Sequence, residues 1–212
     1  MRASQKYIQS LHHEQDPRIN KMKQYAREFR IPIMEDDGIT FMKQLIRIHR
    51  PKKILEIGTA IGYSAIQMAK VDPSVHITTL EIDEARFQEA IKQINLFQLD
   101  DQIDAIHQDA LDYLSGLPDG ATYDFVFIDA AKGKNQAFVE AVSPFLRKNG
   151  LIAIDNVLFK GYVSGENTDS ERLMKIGKKI NAFNQWFVQQ DDFETTIIET
   201  GDGIAVALKL TE

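Results

Sequence analysis

The sequence predicts an α/β protein built on a doubly wound parallel sheet. Three observations support this fold class: short apolar runs bounded by turn residues, a glycine loop between a strand and a helix, and regular alternation of strands with helices. Runs such as Phe125–Ile128 and Leu151–Ile154 suit strands buried on both faces of a parallel sheet. Further parallel strands are predicted at Lys53–Ile57, His76–Leu80 and Ile103–His107.

Helices are predicted before and between the strands, where apolar residues recur at helical spacing. Asp16 and Pro17 mark one helix start, an N-cap followed by proline at the first helical position. The chain closes with a predicted antiparallel hairpin, Phe193–Glu199 and Gly203–Leu208. The predicted helices cover residues 4–13, 17–29, 37–48, 63–69, 83–95, 135–146 and 170–189.

Length and composition predict a single α/β domain with a full core and a cytoplasmic location. Residues 1–50 are expected to form a helical extension packed on a domain of residues 51–212. No stretch approaches the roughly 18–20 apolar residues of a membrane span, and the first residues lack the apolar core of a signal peptide. The absence of cysteine excludes disulfides, thiolate metal sites and a cysteine nucleophile.

Charge is distributed unevenly along the chain. The net charge is −6, yet residues 1–53 carry twelve Lys and Arg against six Asp and Glu. A basic end on an acidic body favours contact with nucleic acid. The alternative is that these basic residues are the solvated face of a helix that packs through its apolar side. That face would consist of Arg18, Lys21, Lys23, Arg27 and Arg30.

Two of the apolar runs end in oxygen-bearing side chains. Asp129 follows one strand, and Asp155 and Asn156 follow another. Because ligands of open α/β sheets bind outside the carboxyl ends of the strands, these side chains should gather at one edge. They are hard oxygen ligands of the kind that Mg²⁺ prefers. Taken singly, each strand end has a plainer interpretation, with Asp129 as a helix cap and Asp155–Asn156 as a turn.

A glycine loop connects the first strand to the helix that begins at Tyr63. Gly58 and Gly62 permit a tight turn and close approach of the backbone to a ligand, although their spacing is not the dinucleotide pattern G-x-G-x-x-G. Glu56 lies inside the strand, where a carboxylate needs a cationic or hydrogen-bonding partner. Glu81 ends the second strand, where an acid can accept the hydroxyls of a ribose.

These motifs resemble those of a known family. The segments E-I-G-x-x-x-G-Y-S, L-E-I-D, Q-D-A, F-I-D-A-A-K-G and D-N-V-L are similar to those of class I S-adenosylmethionine-dependent O-methyltransferases of the catechol and caffeoyl-coenzyme A type. The resemblance runs from about Pro32 to Ala207. It implies a Rossmann-like, seven-stranded methyltransferase sheet ending in the antiparallel hairpin, and a homodimer. Within the family, segments such as P-K-K-I-L-E-I-G-T-A-I-G-Y-S-A-I and D-N-V-L-F-K-G are most similar to bacterial tRNA 5-hydroxyuridine methyltransferases.

The resemblance also implies roles for individual residues. Mg²⁺ or Mn²⁺ would bind Asp129, Asp155 and Asn156, and Asp129 would serve catalysis as well. Lys132 stands where the family places its general base, although it could be an ordinary surface lysine at a helix start. S-adenosylmethionine would be bound by Met34, Glu56, Gly58, Ser64, Glu81, Asp109, Ala110 and Asp129.

Two kinds of substrate offer adjacent oxygens to such a site, a catechol ring and 5-hydroxyuridine. The basic N-terminal end, the lysines Lys132, Lys134 and Lys160, and the resemblance favour 5-hydroxyuridine at the tRNA wobble position. The partner would then be the anticodon stem-loop of tRNA, and a small catechol-like phenol is the alternative. An NAD-dependent oxidoreductase and a non-catalytic RNA-binding module fit less well, because neither accounts for the three oxygen ligands.

Overall fold

The computed structural model describes Tyr7, Ser10, Leu11 and residues 14–211 of the chain. The helix predicted at residues 4–13 therefore lies largely outside the described residues. From Pro17 onward the elements are α1 (Pro17–Glu28), α2 (Asp36–His49), β1 (Lys53–Ile57), α3 (Tyr63–Ala69), β2 (His76–Glu81), α4 (Glu84–Phe97), β3 (Ile103–His107), α5 (Ala110–Ser115), β4 (Tyr123–Ile128), α6 (Asn135–Val142), β5 (Leu146–Ile154), α7 (Glu171–Phe187), β6 (Phe193–Ile198) and β7 (Ile204–Lys209). Short 3₁₀ turns lie at Lys132–Lys134, Ser143–Phe145 and Phe159–Gly161.

The strands form one seven-stranded sheet in the order β3-β2-β1-β4-β5-β7-β6. Strands β1 to β5 are parallel, and β7 pairs antiparallel with both β5 and β6. The predicted doubly wound sheet with a C-terminal antiparallel hairpin is thus confirmed. In this order β1 and β4 lie side by side at the centre, with Ile57 opposite both Leu80 and Ile128. The carboxyl ends of these strands meet at one edge.

Alternation along the strands explains why both faces of the sheet are covered. Phe125 and Phe127 of β4 face one apolar cluster, and Val126 and Ile128 face the other. Successive side chains of a strand point to opposite faces, so a continuous apolar run needs helices on both sides. The first face is covered by α1, α2 and α3, and the second by α6 and α7.

The N-terminal helices pack into the same core as the sheet. Apolar residues of α1 and α2 are buried with Ile54 of β1 in one cluster. Burying each such side chain contributes about 1.5–3 kcal/mol. The Lys23 ammonium also forms a 2.5 Å ion pair with Asp36, which ties α1 to α2. In the part of the chain that the structure describes, no helix combines the length and apolar character needed to cross a membrane.

Most predicted boundaries fall within one or two residues of the observed ones, and the largest differences lie around Leu146. The helix predicted at residues 135–146 ends at Val142, because the chain turns at Ser143–Phe145, a segment that contains Pro144. Leu146, predicted as helical, instead begins β5 and pairs with Tyr123. The short helix α5 is not predicted from periodicity. It begins at the N-cap Asp109.

Candidate active site

A cavity of about 400 Å³ lies beyond the carboxyl ends of β1, β2, β4 and β5. This is the edge at which open α/β sheets bind ligands. Eight residues predicted for the site line it, namely Gly58, Glu81, Asp109, Ala110, Asp129, Lys132, Asp155 and Asn156. Met34, Glu56 and Ser64 are buried and do not line this cavity.

The glycine loop forms one wall of the cavity. Gly58 has φ of +105°, and a Cβ built on it would stand 2.2 Å from the backbone oxygen of Asp129. Only glycine fits this close approach between the end of β1 and the end of β4. The N–H groups of Gly58 and Thr59 donate to the Leu80 carbonyl at 2.9 and 3.2 Å. The loop is therefore held to the neighbouring strand before any ligand arrives.

Glu81 is fixed in place by the backbone around it. Its carboxylate accepts hydrogen bonds from the N–H groups of Ala60 (2.8 Å), Ile82 (3.0 Å) and Asp83 (2.9 Å). The side chain lines the cavity although only 6% of the residue is exposed. Ile82 and Asp83 both bond to Oε1, whereas Ala60 alone bonds to Oε2. Since each carboxylate oxygen offers about two acceptor sites, Oε2 can accept one further hydrogen bond from a ligand.

The carboxylate of Glu56 is hydrogen-bonded within the protein. The side chain is fully buried and accepts hydrogen bonds from the hydroxyls of Ser64 and Thr79. Thr79 stands directly opposite Glu56 in the β1–β2 register, and its hydroxyl lies 2.6 Å from that of Thr59. Burial raises the pKa of Glu56 to about 7, against the opposing effect of the two hydroxyl donors. This cluster supports the glycine loop from behind.

Asp129, Asp155 and Asn156 converge because β4 and β5 are paired neighbours. Ile128 stands opposite Ile154, so the next residue of each strand reaches the same edge. The N–H of Asp155 donates to the Ile128 carbonyl at 3.1 Å. Asn156 adopts left-handed backbone geometry with φ of +61°, and its N–H donates to Asp155 Oδ1 at 2.8 Å. The three residues therefore line one cavity, at the edge of the sheet where they were predicted to gather.

The charged forms of both carboxylates in this group are disfavoured. Burial raises the pKa of Asp155 to about 7, and the neighbouring charge of Asp129 adds to the shift. Burial likewise raises the pKa of Asp129, although the positive charge of Lys132 opposes it. Two buried carboxylates at one point favour either a shared proton or a cation between them.

The donor chemistry of the three side chains fits a hard divalent cation. Two carboxylates and the amide oxygen of Asn156 supply oxygen ligands only, which suits Mg²⁺ and leaves positions for water and substrate. Among the described residues, no group of three or more His, Cys, Asp and Glu side chains is arranged to hold a metal. An ion at this edge would therefore depend on the amide of Asn156.

Lys132 lies beside this group. It begins the 3₁₀ turn Lys132–Lys134, and its ammonium donates a hydrogen bond to Asn156 Oδ1. It lines the cavity, so it is not an ordinary surface lysine. The helix-cap interpretation of Asp129 does not hold either, because Ala131 occupies the N-cap position of this turn.

Asp109 and Ala110 form the far side of the cavity at the start of α5. Asp109 accepts a 2.8 Å hydrogen bond from the Leu111 N–H as the N-cap, and this bond lowers its pKa. Its other oxygen accepts a 3.3 Å hydrogen bond from the Lys134 ammonium. Both oxygens of the Asp109 carboxylate are therefore hydrogen-bonded within the protein. A ligand here would contact Ala110 and the backbone of these two residues.

Asp202, in the turn between β6 and β7, is a residue near the site that the sequence did not reveal. Its charge raises the pKa of both Asp129 and Asp155, so it stands near the oxygen ligands. Its carboxylate accepts a hydrogen bond from the N–H of Lys160, and its carbonyl accepts one from Leu158 at 3.0 Å. The turn sequence Gly-Asp-Gly was its only signal.

The comparisons with known proteins point to one family. The model of the O-methyltransferase family matches residues 9–210. A Staphylococcus aureus structure assigned as a caffeoyl-CoA O-methyltransferase is similar with a TM-score of 0.89 and 35% identity, over 98% of this chain and 100% of that one. An O-methyltransferase from Bacillus cereus in complex with S-adenosylhomocysteine (SAH) has a TM-score of 0.82 and 25% identity, over 98% and 97%.

A curated relative gives the same assignment. A protein of Arabidopsis thaliana assigned as a caffeoyl-CoA O-methyltransferase is 31% identical over 186 residues, which are 86% of this chain and 79% of that one. The chain belongs to the O-methyltransferase family, in its S-adenosylmethionine-dependent class with caffeoyl-CoA and catechol enzymes as relatives.

Proposed function

We propose that the protein transfers a methyl group from S-adenosylmethionine to a hydroxyl that has a second oxygen beside it. One observation carries this proposal. A single cavity is lined by the ribose-accepting candidate Glu81, by Asp129, Asp155 and Asn156, and by Lys132. Cofactor, substrate and base can therefore meet in one space, which is the condition for direct transfer.

The cofactor would lie along the glycine loop. Oε2 of Glu81 has one acceptor site left for a ribose hydroxyl, and a hydrogen bond to a charged acceptor is worth about 1.5–3 kcal/mol. Gly58 keeps the wall of the cavity free of a side chain at the point where β1 approaches β4. The complex of the Bacillus cereus relative with SAH supports this cofactor class.

The oxygen ligands and Lys132 would act on the substrate. Asp129, Asp155 and Asn156 would hold Mg²⁺ or Mn²⁺, and such an ion when bound acidifies a nearby hydroxyl and orients it. In the transfer itself the substrate oxygen forms a bond to the methyl carbon as the bond from that carbon to sulfur breaks. The ammonium of Lys132 first gives a proton to solvent, and the hydroxyl proton then goes to the resulting amine, which acts as general base. For this step Lys132 must leave Asn156 Oδ1 and turn to the substrate.

As the substrate we propose 5-hydroxyuridine at the wobble position of tRNA, which becomes 5-methoxyuridine. Its 5-hydroxyl and 4-carbonyl oxygens are adjacent, as two ligands of one ion must be. A base in an anticodon loop is already unpaired and can enter a pocket, as sequence-specific RNA recognition requires. The motif likeness to bacterial tRNA 5-hydroxyuridine methyltransferases supports this choice.

A small catechol-like phenol is the second candidate. It offers the same pair of adjacent oxygens, and the relatives assigned as caffeoyl-CoA O-methyltransferases favour it. The site chemistry alone does not separate the two substrates, so the choice depends on surfaces outside the cavity.

The deciding experiment compares both substrates in one assay. Purified protein, S-adenosylmethionine and Mg²⁺ are incubated with an anticodon stem-loop carrying 5-hydroxyuridine, with the free nucleoside, or with catechol, and the methylated products are measured by mass spectrometry. We expect the stem-loop to have the highest kcat/KM. Faster methylation of catechol, together with unchanged 5-methoxyuridine in tRNA from a strain lacking the gene, would establish the small-phenol function instead.

A further inference from the structure

A second depression adjoins the cavity. We call it the side groove, defined by Ala130, Ala131, Lys132, Gly133, Phe159, Ile176 and Lys179, with a volume of about 360 Å³. Ala130, Ala131 and Lys132 line both the cavity and the side groove. The side groove therefore lies beside Lys132 and extends towards Ile176 and Lys179 of α7.

The far end of the side groove meets an exposed basic face. Ile176 and Lys179 also line a third depression, together with Glu171, Arg172 and Lys175. Arg172, Lys175 and Lys179 recur at helical spacing on one side of α7, and Lys178 adjoins them. We call these four residues the α7 basic face. All four are exposed, and none forms an ion pair with another described residue.

The N-terminal basic residues are placed differently. Lys23 is buried in its ion pair with Asp36, and Arg18 pairs with Asp16 at 3.0 Å. These charges stabilise the packing of α1. The residues that line the cavity and the side groove include none from α1. The described cations of α1 therefore do not lead to the site, whereas the α7 basic face does.

The wall of the side groove is held firmly. Gly177 of α7 packs against the loop after β5 so closely that a Cβ would stand 2.6 Å from the Tyr162 carbonyl oxygen. Phe159, which lines the side groove, and Lys160 both adopt left-handed backbone geometry, with φ of 45° and 53°. Strained backbone held in place by packing is characteristic of functional surfaces. The Phe159 ring is half-buried and offers a face on which a base can stack.

From this continuity we propose that the α7 basic face binds the phosphates of the RNA strand flanking the target nucleotide, while Phe159 stacks on an adjacent base. The inference rests on the tRNA substrate proposed above. Charge complementarity identifies the occupant. The four cations form no ion pair among the described residues, and they lie beside a groove that contains the Phe159 ring. This combination matches a single-stranded polyanion, whose phosphates bind cations and whose bases stack on aromatic rings. A free catechol carries no phosphate and would not use this face.

The test is a pair of matched triple variants. One is Arg172→Gln/Lys175→Gln/Lys178→Gln on α7, and its control is Lys21→Gln/Arg27→Gln/Arg30→Gln at the exposed N-terminal positions. Both remove three positive charges, and glutamine is a good helix former. Affinity for a fluorescent anticodon stem-loop is measured by anisotropy over a series of salt concentrations. Calorimetric titration with SAH verifies in each variant that the cofactor site is folded.

We expect the α7 variant to bind RNA at least about tenfold more weakly, with the salt slope reduced by about 0.7 for each phosphate that it no longer neutralises. The control should stay within about threefold of the unmodified protein. Equal losses of affinity in both variants, or an unchanged α7 variant, would overturn the proposed location while leaving methyl transfer to RNA intact. If the unmodified protein neither binds nor methylates the stem-loop, the tRNA function fails and this inference fails with it.

Discussion

The ammonium of Lys132 donates a hydrogen bond to Oδ1 of Asn156, so the proposed base and a proposed metal ligand are joined in the protein without substrate. Any cation bound through Asn156 must compete with this ammonium for the same oxygen. Metal binding should therefore release Lys132 towards the substrate, which couples assembly of the metal site to the availability of the base.

Replacing Lys132 with alanine tests its role as base. We expect the rate of methyl transfer to fall by roughly 10²–10⁴-fold, the range for losing a general base, with little change in SAH affinity. The loss should shrink as pH rises, because hydroxide replaces the missing base. Single-turnover rates from pH 6 to 9 measure this, and a pH-independent loss below about tenfold would leave Lys132 without a base role.

Removal of the divalent ion should separate transfer from cofactor binding. We expect EDTA to abolish methyl transfer and leave SAH affinity nearly unchanged, because the oxygen ligands adjoin the substrate side of the cavity. Asp155→Ala and Asn156→Ala should reproduce the effect at low Mg²⁺ concentration. Full activity in chelator, with metal loss verified by elemental analysis, would give Asp129, Asp155 and Asn156 a structural role only.

The Glu81→Ala variant should weaken SAH binding. It removes the acceptor site on Oε2 and also frees the N–H of Ala60 in the glycine loop. The expected loss is about 1.5–3 kcal/mol, or roughly tenfold to 150-fold in Kd by calorimetry. Asp83→Ala is the matched control, because Asp83 caps α4 through the Arg86 N–H and lies outside the cavity lining. Equal reductions of affinity in the two variants would indicate disorder of the loop instead of a missing acceptor for the ribose.

The buried carboxyl of Glu56 should make stability depend on pH. Its folded-state pKa, raised to about 7, exceeds the ordinary value of 4.5, so the folded protein binds the proton more tightly than the unfolded chain. The contribution is fully present below about pH 4.5 and is lost as pH rises through about 7, by up to about 3 kcal/mol.

Urea unfolding of the metal-free protein at pH 5, 6, 7 and 8 measures this contribution, with Glu56→Gln as the comparison. Glutamine keeps hydrogen-bonding atoms for Ser64 and Thr79 but does not titrate. The free energy of unfolding of the unmodified protein should fall, relative to that of Glu56→Gln, as pH rises from 5 to 8. Parallel curves would show that Glu56 has an ordinary pKa.

The elements that the sequence predicts well are those with a strong local pattern. β4 contains the continuous apolar run Phe125–Ile128, and the start of α1 has both the Asp16 cap and Pro17. The prediction for Leu146 is wrong because its apolar character fits the end of α6 as well as the start of β5. Its assignment to β5 depends on pairing with Tyr123, a long-range pairing that no local pattern reveals.

In the candidate site, too, residues with a local signal could be predicted and those that depend on long-range pairing could not. Asp129, Asp155 and Asn156 could be predicted because they directly follow strands, and parallel strands end at one edge. The partners of Glu56 could not, because they depend on the β1–β2 register that places Thr79 opposite it. Asp202 was missed for a similar reason, since β7 must run antiparallel to β5 before the preceding turn reaches the oxygen ligands.

The antiparallel course of β7 has a consequence for synthesis on the ribosome. β7 covers the edge of β5 at Leu151–Ile154, and the turn before it brings Asp202 to the loop after β5. A nascent chain in which residues 193–209 have not yet been made thus presents an unpaired, apolar strand edge, which is a template for aggregation. These late residues both close that edge and complete the surroundings of the site, so an interrupted translation product should be inactive and prone to self-association.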